Sequence, residues 1–154
     1  MSKLALRWLV GSALCGLLLC GCGEEGKPRK KTYPVTGEVY VDGKPASQLA
    51  VRCVSVQGID KENPTTSSAF TDENGKFEIS TYETADGVPE GEYILTFEWG
   101  QWNLVSGQYG GPDKLKGRYT DPKKSTVRFK VEGGKPVDLG RIELSTKGGQ
   151  GGSG

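Results

Sequence analysis

Short runs of alternating apolar and polar residues, separated by glycine-rich turns, cover most of this chain. The clearest run spans 91–99, where apolar residues alternate with glutamate and threonine and only Ile94 breaks the pattern. A period of two predicts a strand with one buried face. Six further runs of this kind occupy 33–41, 49–56, 67–71, 76–81, 127–131 and 137–144. Two sheets that bury these faces against each other give an all-β, antiparallel sandwich of about seven strands.

Glycines mark the turns between these runs. Asp42-Gly43 predicts a tight turn, because glycine adopts a positive φ without steric cost. The sequence 72–75 predicts a turn that joins 67–71 and 76–81 into a hairpin. A change of phase at Gly140 predicts a glycine bulge in the last strand.

The first 22 residues resemble the signal of a bacterial lipoprotein. Two basic residues precede a twelve-residue apolar stretch, 8–19, which is too short to cross a bilayer. The leucine-cysteine-glycine-cysteine sequence at 19–22 is similar to the lipobox, in which the cysteine is acylated and the chain is cut before it. Cys15 and Cys20 each follow a leucine, which is too large for the residue before the cut. We therefore expect lipidation of Cys22, with palmitate among the acyl chains; the alternatives are an ordinary signal peptide or an uncleaved anchor.

The chain divides into four parts on this basis. We expect a cleaved signal peptide at 1–21 and a polar, lipid-anchored tether at 22–32, whose basic residues suit anionic head groups. The sandwich domain follows at 33–145. A glycine-rich tail at 146–154 lacks a core face, which predicts disorder. The mature protein is thus expected outside the cytoplasm, attached to a bacterial membrane through acylated Cys22, with the inner and outer membranes both open.

The residue inventory excludes several kinds of chemistry. The chain has no histidine, which excludes Ser-His and Cys-His catalytic pairs and imidazole metal sites. After cleavage before Cys22, Cys53 is the one cysteine left beside the acylated one, so we expect no intrachain disulfide. Loss of Lys3 and Arg7 leaves 18 basic residues against 19 acidic ones. Such a balance gives no electrostatic footprint for nucleic acid.

The turn at 72–75 is a candidate calcium site. The turn at 72–75 is rich in side-chain oxygens, as an EF-hand loop is. Lys76, however, stands at the fifth position, where that loop needs a ligand. We therefore expect a plain hairpin turn here. For the chain as a whole we expect no metal and no cofactor, and the lack of histidine leads us to expect no enzymatic activity.

The segment from Gly100 to Lys124 is the candidate binding site, because it is long for a small domain and lacks alternation. Aromatic side chains stack on sugar rings and anchor protein interfaces. The segment's basic residues also suit an anionic polymer or head group, unless they are simply solvated. Trp102 and Tyr109 are predicted to be exposed. For Trp99 and Tyr119 the alternative is that their side chains cap the core. The aromatic candidates within the segment or at its mouth are Trp99, Trp102, Tyr109 and Tyr119.

Several motifs occur in an order that is typical of one family of sandwiches. They are the sequences at 35–39, 42–45 and 71–79, and the strand entry proline-glutamate-glycine-glutamate-tyrosine at 89–93. Together they resemble the carboxypeptidase regulatory-like and transthyretin-like family. The lipobox, 80–82 and 114–125 are also similar to small lipoproteins of planctomycete-type bacteria. The resemblance covers 33–144 and implies an Ig-like, transthyretin-like (prealbumin-like) sandwich. It implies an accessory, adhesive or structural role and carries no site motif across.

These features together predict a lipid-anchored cell-envelope domain that acts as a non-catalytic binding or structural module. The 100–124 loop is its expected contact with an envelope protein or a glycan. Two alternatives stay open. The first is an accessory subunit of an envelope or secretion complex that holds no small ligand, and the second is a dedicated glycan-binding module.

Overall fold

The computed structural model describes residues 29–147, and this part of the chain is built from strands. No helix occurs within these residues, so none there could cross a membrane. The all-β prediction is therefore confirmed for the described residues. The twelve strands are β1 (Thr32–Tyr33), β2 (Val35–Val41), β3 (Lys44–Pro45), β4 (Ala50–Ser55), β5 (Ser67–Phe70), β6 (Lys76–Glu78), β7 (Val88–Pro89), β8 (Gly91–Glu98), β9 (Gln101–Asn103), β10 (Gln108–Gly110), β11 (Arg128–Val131) and β12 (Val137–Leu144).

Two larger sheets form a sandwich. The first has the order β11-β8-β4-β5, with every neighbouring pair antiparallel. The second has the order β12-β2-β3, and β6 also pairs with β2. Two small ribbons, β1–β7 and β9–β10, complete the fold. Alternate residues of β2 are buried, as the period of two predicted, and the sandwich prediction is confirmed.

A single apolar core lies between the two sheets. The first sheet contributes residues such as Val51 and Leu95, and the second contributes residues such as Val39 and Ile142. Burial of these side chains supplies the main driving force for folding. The hydroxyl of Thr71 enters the core and bonds two backbone groups there. No buried side-chain nitrogen or oxygen atom within 29–147 lacks a hydrogen-bond partner.

Three features differ from the sequence-based expectation. β12 runs parallel to β2, so the sandwich is not purely antiparallel. β6 pairs with β2 rather than with β5, because the turn at 72–75 carries the chain from one sheet to the other. The predicted hairpin is therefore wrong, apart from a single bridge between Ser68 and Ser80. The strands number twelve rather than about seven. Pro34, which has no N–H to donate, divides the first run into β1 and β2, and the short strands β3, β7, β9 and β10 lie in segments that were predicted as turns or loop.

Two local predictions are confirmed. Asp42 and Gly43 both have positive φ values, 49° and 79°, which is the conformation of a tight type I′ hairpin turn. Gly140 has a φ of 62°, and the β12–β2 register shifts between Asp138 and Arg141. The last strand therefore contains the expected glycine bulge.

The central strand β8 gives the domain two ends. At the start of β8, β7 pairs with β1, so the chain enters the domain there. We call this the N-terminal end. The β9–β10 ribbon follows the last residue of β8, and we call that the loop end. Since a strand rises about 3.4 Å per residue, the two ends are about 25 Å apart.

Residues 29–32, the described part of the predicted tether, are bound to the N-terminal end. Arg29 forms an ion pair with Glu83 at 3.0 Å, and Lys30 forms one with Asp60. The Lys30 ammonium holds the pKa of Asp60 at about 2. The backbone N–H of Lys30 donates to the Tyr82 hydroxyl at 3.1 Å. The predicted signal peptide, Cys22 and the tail beyond residue 147 lie outside the described residues.

Substitution of Gly87 tests the closeness of the chain at the N-terminal end. A Cβ atom at Gly87 would lie 1.7 Å from the carbonyl oxygen of Tyr33, whereas one at Gly43 would meet nothing within 4 Å. Both glycines have φ near +80°. We expect Gly43→Ala to lower the free energy of unfolding by about 1 kcal/mol and Gly87→Ala to lower it by about 3 kcal/mol or more. Urea unfolding followed by circular dichroism measures both, and equal losses would contradict the close contact.

Cys53 is a free thiol on β4 whose side chain packs against the core. Burial raises the pKa of Cys53 from 9.0 to about 12, so at pH 8 its thiolate fraction is about a thousandfold lower than in the unfolded chain. We expect iodoacetamide to modify Cys53 slowly in the native protein and rapidly in concentrated urea, as peptide mapping by mass spectrometry would measure. Equal modification rates would refute the burial.

Because folding raises the pKa of Cys53, the free energy of unfolding should also fall as the pH rises from 9 towards 12.

Candidate functional site

The predicted 100–124 loop is an ordered structure at the loop end. It begins with the β9–β10 ribbon and continues as a segment attached to β8. The carboxylate of Asp113 makes this attachment by accepting the N–H groups of Trp99 at 2.8 Å, Leu115 at 2.9 Å and Gly117 at 2.7 Å. The side chain of Leu115 is fully buried in the core. Side chains that project from this segment therefore start from a fixed backbone.

Two aliphatic side chains stand at the tip of the β9–β10 ribbon. Leu104 is 94% exposed and Val105 is 99% exposed. Asn103 fixes the turn that carries them, because its side-chain oxygen accepts the N–H of Val105 at 2.9 Å and that of Ser106 at 3.2 Å. No charged residue occurs in 100–112. The tip is thus uncharged and apolar, and a partner that covered it would remove two large apolar side chains from water.

An aromatic cluster lies behind this tip. Trp102 and Tyr109 are opposite each other in the ribbon, and both contact Phe70 at the end of β5. The ring centroids are 4.8 to 5.4 Å apart with tilted planes, a favourable arrangement for aromatic pairs. Phe70 remains 45% exposed and Trp102 41% exposed. We call the five residues of the tip and the cluster the hairpin surface: Phe70, Trp102, Leu104, Val105 and Tyr109.

Tyr109 fixes the ribbon to the domain. Its hydroxyl donates to the carbonyl of Gln48 at 2.8 Å and accepts the N–H of Gly100 at 2.8 Å. Burial raises the pKa of Tyr109, which keeps this hydroxyl protonated. A Cβ atom at Gly100 would lie 2.7 Å from the carbonyl oxygen of Gly110, so glycine is needed where the two arms meet. Tyr109 is half-buried rather than fully exposed, and its role here is to hold the ribbon in place.

The other two predicted aromatic residues lie apart from the hairpin surface. Trp99 and Tyr119 are partly buried and pack against the core. The indole N–H of Trp99 donates to the carbonyl of Ser47 at 2.9 Å, and the Lys114 ammonium lies 4.6 Å from the centroid of one ring of the indole. The Tyr119 hydroxyl accepts the N–H of Ser145 at 2.9 Å. The structure thus brings Trp102 and Tyr109 together. It places Trp99 and Tyr119 at the edge of the core, where they pack against it.

In the oxygen-rich turn at 72–75, the Asp72 side chain forms hydrogen bonds with backbone groups of the turn and of the residue that follows it. The side-chain oxygen Oδ1 of Asp72 accepts the N–H groups of Asn74 at 2.9 Å and Lys76 at 2.8 Å. This is the hydrogen bonding of an Asx turn. Within the part of the chain that the structure describes, no three histidine, cysteine, aspartate or glutamate side chains lie close enough together to hold a metal ion.

The residues that sequence reasoning missed are Phe70, Leu104 and Val105. A signal for the aliphatic pair was present, since the other residues of 100–111 are polar residues, glycines and aromatic residues. Because the neighbouring residues are polar or glycine, they cannot bury the side chains of Leu104 and Val105. Phe70 gave no signal, because its contact with the ribbon depends on how β5 is placed at the sheet edge.

Comparisons with known proteins leave the family open. No family model matches the chain, and no curated protein matches it. Several solved structures overlap with it. Three of them are a 9R-lipoxygenase from Cyanothece (17% identity, TM-score 0.37), a DUF3823 family protein from Parabacteroides merdae (14% identity, TM-score 0.37) and an (S)-allantoin synthase (16% identity, TM-score 0.42). The overlaps cover 76–77% of this chain but 17%, 46% and 42% of the respective solved chains. Similarity at this level assigns neither a family nor an activity.

Proposed function

We propose that this protein is a lipid-anchored, non-catalytic binding module of a bacterial cell envelope and that its hairpin surface contacts a partner protein. The observation that carries the binding role is the exposure of Leu104 and Val105 on a turn that Asn103 holds in place. Exposed apolar side chains that lie together on a surface mark interaction sites, whereas singly scattered ones do not. The absence of histidine supports a role without catalysis.

The composition of the hairpin surface favours a protein over a glycan. Its foremost side chains, Leu104 and Val105, have no hydrogen-bonding groups, whereas a sugar needs several such groups around it. The Tyr109 hydroxyl is already used within the domain. Aromatic side chains such as that of Trp102 are common anchors of protein interfaces, and the buried centre of such an interface is apolar.

The position of the hairpin surface also supports this role. Residues 29–32 are bound at the N-terminal end, and the hairpin surface is at the loop end, on the far side of β8. With a lipid on Cys22, the membrane would be on the N-terminal side. The hairpin surface would then face away from the membrane, where a partner protein can approach it.

The anchor part of the proposal rests on the sequence. The 19–22 motif and the apolar stretch before it resemble a lipoprotein signal. The sandwich motifs resemble those of carboxypeptidase regulatory-like domains and of small planctomycete-type lipoproteins. We propose membership of this group, with attachment outside the cytoplasm through an acylated cysteine.

Lipidation is tested by growing cells that make the full chain with a labelled palmitate analogue. We expect Cys22→Ser to abolish incorporation of the label and to move the protein out of the membrane fraction. Cys20→Ser is the matched control and should leave both unchanged, because a leucine precedes it. Label retained in the Cys22→Ser protein would refute this anchor.

The contact role is tested by cross-linking in intact cells, followed by affinity purification and mass spectrometry. We expect a reproducible partner whose yield falls at least about tenfold in the double variant Leu104→Ser with Val105→Ser, because each buried aliphatic side chain contributes about 1.5–3 kcal/mol. Ile59→Ser is the matched control, since Ile59 is 79% exposed but follows β4 near the N-terminal end.

The two serines should not disturb the fold, because the side chains they replace contact water. Equal thermal unfolding midpoints of the parent and the double variant would check this. A partner recovered equally well with the double variant would show that the contact lies elsewhere. Recovery of the membrane-attached protein alone would argue against a protein partner.

A further inference from the structure

The loop end also contains a cavity that is separate from the hairpin surface. It has a volume of about 640 Å³ and lies between the segment 117–127 and the end of β12. Small-molecule sites commonly have volumes of roughly 300–1,000 Å³. Phe97 and Leu144, which are buried core residues, form part of its lining. We call it the basic cleft, because three cationic side chains also line it: Arg118, Lys123 and Lys124.

The positive charge of the basic cleft is not neutralised by ion pairs. Among the ion pairs formed within residues 29–147, none includes Arg118, Lys123 or Lys124. Glu143 is the carboxylate that lines the cleft, and it is paired with Arg141. Asp121 lies nearby in the chain, where its Oδ1 accepts the N–H of Lys123 at 2.9 Å. Cations therefore outnumber anions around the cavity.

The segment that lines the basic cleft is held in place by hydrogen bonds to β8 and to the residue that follows β12. The Ser125 hydroxyl donates to the carbonyl of Leu95 in β8 at 2.6 Å. The N–H of Phe97 donates to the carbonyl of Tyr119 at 2.9 Å. The guanidinium of Arg118 donates to the carbonyl of Ser145, just beyond β12, at 3.2 Å. The backbone of the site would thus need little ordering when a ligand binds, which favours affinity.

We propose that the basic cleft binds an anionic saccharide, a sugar that carries a phosphate or a carboxylate. The cationic side chains supply charge-assisted hydrogen bonds for the anionic group. The half-buried side chains of Tyr119 and Val127 in the lining suit the C–H face of a sugar ring, and the exposed Thr126 offers a hydroxyl. This site uses none of the five residues of the hairpin surface, so it is an additional binding site beyond the proposed protein contact.

Isothermal titration of the full-length protein in detergent tests this proposal with four probes. They are glucose 6-phosphate, trigalacturonate, glucose and inorganic phosphate. We expect at least one of the two anionic sugars to bind about tenfold or more tightly than both glucose and inorganic phosphate. Binding should weaken as the salt concentration rises, because the cationic side chains lie at the surface.

The double variant Lys123→Ala with Lys124→Ala should raise the Kd of that sugar about tenfold or more. The matched control is Lys130→Ala with Lys135→Ala, which removes two exposed lysines from residues outside the cleft lining and should leave the Kd unchanged. The Leu104→Ser with Val105→Ser variant should also leave it unchanged, which separates this site from the proposed function. Equal thermal unfolding midpoints check the fold of each variant.

Three results would overturn the proposal. The first is the absence of binding by both anionic sugars. The second is binding of inorganic phosphate as tight as that of the sugars, which would indicate a site for a free anion only. The third is sugar binding that the Lys123 and Lys124 substitutions leave intact. None of these results would affect the cross-linking test of the hairpin surface.

Discussion

The pairing of β8 with β4 is the interaction on which the rest of the structure depends. The two strands pair over six residues, and five consecutive side chains of β8, from Tyr93 to Phe97, are buried. On its other edge, β8 pairs with β11 only as far as Ile94. Beyond that point the N–H groups of Leu95 and Phe97 donate to carbonyls of the segment 119–127. That segment therefore replaces a strand, and both the hairpin surface and the basic cleft are built outward from β8.

Much of the fold followed from the alternation of apolar and polar residues, because burial of one face is a local property of a strand. The buried face of β2, the Asp42-Gly43 turn and the Gly140 bulge were predicted in this way. The partners of the strands were harder to predict. The pairing of β6 with β2 and the parallel direction of β12 depend on which sheet each strand joins, and alternation carries no information about that.

The candidate site was predicted only in outline. The segment 100–124 was singled out by its length and by its lack of alternation. Its aromatic residues divide into two groups that the sequence could not separate. Tyr109 looked like an exposed side chain because its neighbours are polar and small. Its hydroxyl instead reaches Gln48, which is distant in the sequence. The ribbon contains two short arms of three residues each, too short for a period of two to be recognised.

The bound state of Arg29 and Lys30 has a consequence for the height of the domain above a membrane. Six residues, 23–28, separate Cys22 from Arg29. An extended chain covers at most about 3.3–3.6 Å per residue, so the Cα atoms of Cys22 and Arg29 are at most about 25 Å apart. A lipid on Cys22 would keep the N-terminal end within that distance of the bilayer and the loop end about 25 Å further out. The hairpin surface and the basic cleft would then both lie within about 50 Å of the bilayer, where molecules anchored in the same membrane can reach them.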